Sequence, residues 1–287
     1  MQDNLKAENL TYPFLAGVLD GDGFIRTYKN TGEYEITMHA IDMHFLNQLK
    51  IQFGGTIRKV LHKNALRYVL NAKNALDKNT LLTLTNGLNG HIRNTIRVNQ
   101  FQKLCSALNI KFNEPKAINW NDGYVAGLFI TDGSIYMNCR PSAASRKAKL
   151  LNNSLTAIEL IDDNEKKIQR ILKGVAPVIE IRIVNKFLVN IGDIGKVFNM
   201  GKTVFSKGNL RAPEGHYIFF IKKENEILQF YNYMNIYKTA SVKHHRLDLI
   251  PTFYSLISKK AHLIDSNTEA VAKQWEVFVR SWYSIDS

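Results

Sequence analysis

Residues 15–23 read Leu15-Ala16-Gly17-Val18-Leu19-Asp20-Gly21-Asp22-Gly23, and residues 125–133 read Val125-Ala126-Gly127-Leu128-Phe129-Ile130-Thr131-Asp132-Gly133. The stretches lie 110 residues apart. Both place Ala-Gly near the start and Asp-Gly at the end, then enter alternating apolar and polar residues, the pattern of a half-buried strand. A repeat of this length argues for two tandem copies of one domain rather than a solenoid. Further along, Ile41-Asp42 and Gly54 match Ile161-Asp162 and Gly174. That match puts the extra residues of the second copy in a loop around Asn138–Asn153, made basic by Arg140, Arg146, Lys147 and Lys149. A second expansion falls near Asn199–His216.

The first copy reads as helix, two strands, helix, two strands, helices. Thr11 is a natural N-cap for a short helix over Tyr12–Leu19, with Pro13 in its first turn. Strands follow at Phe24–Asn30 and Glu33–Ala40. In the second of them Tyr34, Ile36, Met38 and Ala40 face one way, and Glu33, Glu35, Thr37 and His39 the other. Asp42–Phe53 is an amphipathic helix stopped by Gly54-Gly55. Thr56–His62 and Ala65–Asn71 form another hairpin, and helices at Leu76–Leu84 and Val98–Leu108 complete the copy. The fold class is α+β, two tandem αββαββα repeats. Asn113-Glu114-Pro115-Lys116 marks the join, so the expected divisions are 1–113, 114–250 and a helical extension 251–287, helical for example over Thr268–Trp282.

Each sheet is expected to lie with one face on helices and the other open and polar. The open face carries Arg26, Tyr28, Asn30, Arg58 and Arg67 in the first copy and Tyr136, Asn138, Arg140 and Arg182 in the second. A two-stranded ribbon fits the DNA major groove, where such side chains read base edges. For any one of these residues an ordinary solvated position is a fair alternative. The chain as a whole carries 38 Lys and Arg against 25 Asp and Glu, a net charge of +13. That excess favours a polyanionic partner, nucleic acid before membrane. No apolar run is long enough to span a bilayer and the N-terminus has no secretory core, so a secreted or membrane enzyme is excluded. Cys105 and Cys139 are too few for a disulfide framework and read as two buried thiols. The richness in Asn, Ile and Lys hints at an AT-rich, organellar genome. An intracellular site in mitochondrion or chloroplast is expected.

Glycine inside a helix costs about 1 kcal/mol against alanine, so Ala16-Gly17 and Ala126-Gly127 point to two helices whose backbones approach closely. Leu15, Val18, Leu19, Val125, Leu128 and Phe129 would fill in around them. Such packing brings Asp22 and Asp132 together at two helix C-termini, where like charges and terminal carbonyls both disfavour ionisation. A divalent cation with hard oxygen ligands relieves both. A lone Asp-Gly is usually just a turn; two in matching contexts are harder to dismiss. An EF-hand starting at Asp20 fails, since Ile25 and Thr31 occupy its glycine and glutamate positions. Asp20 is matched by Ile130 and is read as a capping or electrostatic residue.

The two motifs resemble the signature of the LAGLIDADG homing endonucleases, and the resemblance spans roughly residues 10–250. It implies a pseudo-two-fold monomer, a saddle with antiparallel sheets on the DNA face, that makes a double-strand break in a long DNA target and leaves short 3′ overhangs. By the same resemblance Asp22 and Asp132 bind catalytic Mg²⁺ (Mn²⁺ or Ca²⁺ in the same site), with the carbonyls of Gly21 and Thr131 contributing. A basic residue ahead of each copy's last helix corresponds to Lys243 and, as arginine, to Arg97; Lys238 is a near rival of Lys243. His244-His245 are read as surface or DNA-backbone contacts, and Phe219, Phe220, Tyr231 and Tyr233 as packing. Partners are double-stranded DNA or, for a maturase, group I intron RNA. With no flanking splicing sequence, an intron or free-standing origin is expected. A non-cleaving DNA-binding protein is the third reading.

Overall fold

The structure is a computed structural model that describes residues 10–72, 75–141, 163–172, 174–208, 213–263 and 268–284. Arg146, Lys147, Lys149, Ile161 and Asp162 lie outside the described residues, as does the side chain of Arg140. The described residues divide into two compact units. One lies within Met1–Ser134, Arg182–Ile221 and Asn232–His244, the other within Ile135–Ile181, Lys222–Tyr231 and His245–Ser287.

The first repeat opens with α1 (Tyr12–Asp22), whose start is capped by the Thr11 hydroxyl accepting from Phe14 N at 3.3 Å. The helix runs past Leu19 because the Gly23 N–H still closes on the Leu19 carbonyl. Asp20, Gly21 and Asp22 are therefore helical residues. Strands β1 (Gly23–Tyr28) and β2 (Thr31–His39) pair with Arg26 opposite Glu33. The two residues between them, Lys29-Asn30, make the turn, with Asn30 in the left-handed region at φ 59°. Tyr34, Ile36 and Met38 are buried, as their alternation requires, but Glu33 and Glu35 on the opposite face are buried too. A short 3₁₀ turn (Ala40–Asp42) leads to α2 (Met43–Phe53), then β3 (Thr56–Lys59), β4 (Ala65–Asn71), α3 (Ala75–Leu88) and α4 (Thr95–Ala107). The antiparallel sheet has the order β1-β2-β4-β3.

The second repeat runs α5 (Tyr124–Asp132), β5 (Gly133–Pro141), α6 (Asp163–Leu172), β6 (Gly174–Asn185), α7 (Leu188–Ile191), α8 (Ile194–Phe198), β7 (Lys202–Ser206), β8 (His216–Ile221), α9 (Glu224–Ile236) and α10 (Val242–Asp248). Its sheet order, β5-β6-β8-β7, matches the first. The match corrects the alignment of the copies beyond their motifs. Helix α6 falls between β5 and β6, where the first repeat has only a two-residue turn, so the extra segment is much longer than a loop at 138–153. The counterpart of α2 is the α7–α8 pair, and the glycine that matches the end of α2 is Gly201, not Gly174. Gly55 and Gly201 both sit at positive φ, 83° and 63°, each against a carbonyl and an aromatic ring of the adjacent strand: Val69 and Tyr68, Phe220 and Phe219. That geometry constrains the residue type, whereas a two-residue Ile-Asp match carries little positional information. The expected Asn199–His216 loop contains β7.

The 3.6-residue pattern near the C-terminus gives α12 (Glu269–Ser284), preceded by α11 (Ile250–Ser258). Phe253, Trp275, Phe278 and Trp282 form their buried aromatic seam. Arg280 reaches Glu165 of α6 at 3.1 Å. Both cysteines are free; Cys105 is buried, but Cys139, on edge strand β5, is only half-buried and donates to the Arg170 carbonyl at 3.1 Å. Among the described residues no helix is long and apolar enough to cross a membrane.

Candidate active site

Helices α1 and α5 pack through their glycines. A Cβ on Gly17 would collide with the backbone of Tyr124 and Leu128, and one on Gly127 with the backbone of Phe14 and Val18. Leu15, Val18, Leu19, Val125, Leu128 and Phe129 are all buried around this crossing. The contact continues to the helix ends, where a Cβ on Gly21 would meet the Thr131 side chain and lie 3.2 Å from Asp132 Oδ1. The two motifs therefore deliver their last acidic residues to one place, as the sequence implied.

Asp22 is exposed and Asp132 partly so, which leaves each carboxylate an open edge. Even so, removal of water by surrounding protein pushes both carboxyls up, Asp132 to about 6 with the Asp22 charge as the second cause. Two basic side chains answer that negative charge. Arg97 Nε donates to the Leu19 carbonyl at 3.2 Å, and Lys243 Nζ donates to the Phe129 carbonyl at 3.4 Å and to that of Thr131. Leu19 and Phe129 are the same position of the two motifs, so the basic residues cap equivalent helix ends. Burial lowers the Lys243 ammonium to about 8, opposed by Asp22, Asp42 and Asp132; it also lowers Arg97, opposed by Asp20, Asp132 and Asp22. Lys238 lies exposed outside the helices.

The support beneath these side chains differs between the repeats. Asp20 is buried, and its Oδ2 accepts from Arg93 N at 2.7 Å, Asn94 N at 3.0 Å and the Tyr124 hydroxyl at 2.7 Å. It thereby caps the approach to α4, which carries Arg97. Burial nevertheless raises its carboxyl to about 6. The Arg93 guanidinium, 4.8 Å above the Tyr124 ring, closes this corner. Ile130 provides no such acceptor to α10. Instead Asp42 Oδ1 accepts from the Ser241 hydroxyl at 2.9 Å and Val242 N at 3.0 Å. The sequence places Asp42 only in the repeat match and at the start of the second helix; this contact is not legible there, because its partners lie 199 and 200 residues away. His244 is 1% exposed and belongs to the core rather than the surface, since the start of α10 turns it inward; His245 is exposed.

On the first sheet, Arg26, Tyr28, Asn30 and Arg58 are exposed and Arg67 half-buried. Arg58 and Arg67 are register partners. Three of these residues engage acidic neighbours: Tyr28 donates to Glu33 at 3.0 Å, Arg26 pairs with Glu33 at 3.5 Å and Glu35 at 3.6 Å, and Arg67 pairs with Glu35 at 3.7 Å. In the second repeat Tyr136 is exposed, while Asn138 and Arg182 are half-buried. Phe219 and Tyr233 are core residues, as expected; Phe220 is half-exposed with Lys202 over its ring at 5.4 Å, and Tyr231 is half-exposed.

The site offers oxygen donors, not nitrogen or sulfur. Among the described residues no three His, Cys, Asp or Glu side chains cluster as a metal cage. Two carboxylates with nearby carbonyls suit a hard cation that keeps water or takes phosphate oxygens in its remaining positions.

No protein-family model matches the chain. The chain is 31% identical over 270 residues to the intron-encoded RNA maturase bI4 of Saccharomyces cerevisiae, covering 94% of this chain and 36% of the relative. It is 25% identical to the probable intron-encoded endonuclease aI2 of Debaryomyces hansenii, covering 96% and 38%. The chain thus spans little more than a third of the length of these two relatives. It is 26% identical to the intron-encoded DNA endonuclease ai2b of Dictyostelium discoideum, covering 94% and 88%. Among solved structures, the I-LtrWI LAGLIDADG homing endonuclease bound to target DNA superposes with a TM-score of 0.63 at 15% identity, covering 95% of this chain and 97% of that one. I-SmaMI, bound to uncleaved DNA with calcium, gives 0.61 at 14%, covering 96% and 98%. The chain has the LAGLIDADG homing-endonuclease fold in its single-chain, two-motif form.

Proposed function

We propose that the chain is a site-specific homing endonuclease that hydrolyses both strands of a long DNA target, leaving short 3′ overhangs. The observation that carries this reading is the meeting of Asp22 and Asp132 at the crossing of α1 and α5, with Arg97 and Lys243 on equivalent motif carbonyls. Asp22 and Asp132, with the carbonyl oxygens of Gly21 and Thr131, would hold Mg²⁺, or Mn²⁺ or Ca²⁺ in the same oxygen set. When bound, that cation activates water and stabilises the leaving oxygen. Lys243 and Arg97 offset negative charge next to the scissile phosphates. Lys243, with its lowered pKa, is the better proton donor of the two, because guanidinium retains its protons. Arg26, Tyr28, Asn30, Arg58, Arg67, Tyr136, Asn138, Arg140 and Arg182 would contact the duplex, which the chain binds as a monomer. In this reading residues 1–113 and 114–250 are the two half-domains and 251–287 an extension. The protein acts inside the cell, in mitochondrion or chloroplast, as an intron-encoded product.

The test is cleavage of a randomised duplex library with and without Mg²⁺, followed by Asp22→Asn and Asp132→Asn on the selected target. Each substitution should lower cleavage by about a thousandfold or more, equivalent to about 4 kcal/mol of barrier, and leave target binding in Ca²⁺ intact. Metal-dependent cleavage by the double variant would remove the mechanism. A second reading, an RNA maturase acting on group I intron RNA, is favoured by the 31% identity to the yeast maturase. Splicing stimulated by the cleavage-dead protein would establish it alongside, or in place of, the nuclease.

A further inference from the structure

The segment after the second strand of each sheet carries one buried polar side chain, and the two face corresponding targets. After β2, Asp42 is 5% exposed and accepts at 3.0 Å from Val242 N, the first residue of α10. After β6, Asn190 is 4% exposed, and its Oδ1 accepts at 3.3 Å from Thr95 N, the first residue of α4. The amide of Asn190 is oriented by its Nδ2 donating to Asn185 Oδ1 at 2.8 Å. Each helix also caps itself one residue earlier. Asn94 Oδ1 accepts from Ile96 N at 3.0 Å, and Ser241 Oγ accepts from Lys243 N at 3.3 Å. Helices α4 and α10 are those that bring Arg97 and Lys243 to the motif carbonyls. A helix start held by an outside acceptor cannot fray or rotate without leaving a buried carboxylate or amide unpaired.

We propose that Asp42 and Asn190 are reciprocal positioning residues: each, from one repeat, fixes the start of the helix that carries the other repeat's basic residue. Their catalytic consequence rests on the endonuclease reading; the positional claim does not. The dependence is unequal. Helix α4 has Asp20 as a further acceptor at its approach, whereas α10 leans on Asp42, which also holds the Ser241 hydroxyl. Gln48 of α2 adds a neutral contact, accepting from Ala240 N at 2.9 Å. The Asp42 side should therefore be the more sensitive.

The experiment uses the full chain and pairs two readouts. Amide hydrogen exchange without DNA should quicken at 241–244 in Asp42→Ala and at 95–97 in Asn190→Ala, and stay near wild type in Asp42→Asn, whose Oδ1 still accepts. Single-turnover cleavage of a duplex selected from a randomised library should fall about 10- to 100-fold in Asp42→Ala, the scale of a group displaced by about 1 Å. Target affinity in Ca²⁺ should not change, and Asp42→Asn should recover most of the rate. In a Lys243→Met background Asp42→Ala should cost nothing further, since the two act as a unit. Unchanged exchange at 241–244 in Asp42→Ala overturns the proposal. So does a rate loss of equal size with and without Lys243, which would mark a purely structural role. If the wild-type chain cuts no duplex, the endonuclease reading falls and the exchange result alone decides the positioning claim.

Discussion

The C-terminal ends of α1 and α5 are the same object built twice, and they differ in how they are held. Each ends in Asp-Gly, exposes one carboxylate and receives a basic side chain on the same carbonyl, that of Leu19 or Phe129. Beneath this likeness the first repeat uses Asp20 as an internal clasp for the approach to α4. The second has Ile130 there and takes Asp42 from the first repeat to hold α10. Even the basic residues are offset. Counted from the self-capping residues Asn94 and Ser241, Arg97 is third and Lys243 second, yet both reach equivalent oxygens, Arg97 through Nε and Lys243 through Nζ at the end of an arm one atom longer. The two repeats keep the same atoms at the helix crossing while the supports beneath them differ, since any acceptor of suitable geometry satisfies a helix start.

The comparison breaks first at the glycines. Gly17→Ala and Gly127→Ala each place a methyl against facing backbone that cannot yield, and each should destabilise by about 3 kcal/mol or more, read from urea midpoints. A tolerated alanine at either would mean the helices do not cross there. Next comes Asp20→Ala, which strands the Arg93 and Asn94 amides and the Tyr124 hydroxyl and should cost about 2–3 kcal/mol. Ile130→Ala, the same position in the second repeat, should cost a similar amount through a cavity alone. The two differ in rescue: Asp20→Asn should recover at least about 1 kcal/mol by keeping an acceptor. Smaller still are the exchanges Lys243→Arg and Arg97→Lys. Single-turnover kinetics should show about a tenfold loss for the first, as a titratable ammonium is replaced, and less for the second. Equal losses would show that both positions act by charge alone. The smallest effect belongs to the first sheet. Glu35→Gln removes the ion pair of Arg67 and one of the two held by Arg26, which keeps Glu33, and should tighten binding to random duplex about threefold, with a slightly steeper salt dependence. No change in that dependence would mean the arginines do not face phosphate.

Much of this is legible in the sequence. Thr11, Pro13 and Gly54 mark helix ends through local backbone chemistry, and the alternation of Tyr34, Ile36 and Met38 shows which face of β2 is covered. Asp20 is readable as a capping or electrostatic residue because its repeat partner, Ile130, is apolar. The register of the second repeat beyond its motif is not legible, because α6 interrupts it and the matching pairs are short. The burial of His244 is not legible, because adjacent polar residues on a short helix give no sign of which one turns inward. The alternation gives the side of β2 on which Glu33 and Glu35 lie. Their burial under Arg26, Tyr28 and Arg67 comes from cross-strand neighbours, which a single strand does not display.

The sequence by itself determined the duplication, the helix crossing at Ala-Gly and the pair of acidic residues at the motif ends. Each of these depends on residue identity at fixed local spacing: a missing Cβ, a turn, a charge. Only the tertiary structure decided that Arg97 and Lys243 reach corresponding carbonyls, that Asp42 holds a helix 200 residues away, and that Gly201 is the partner of Gly55. Those are pairings between distant segments, and their energy lies in which donor meets which acceptor once the chain has closed.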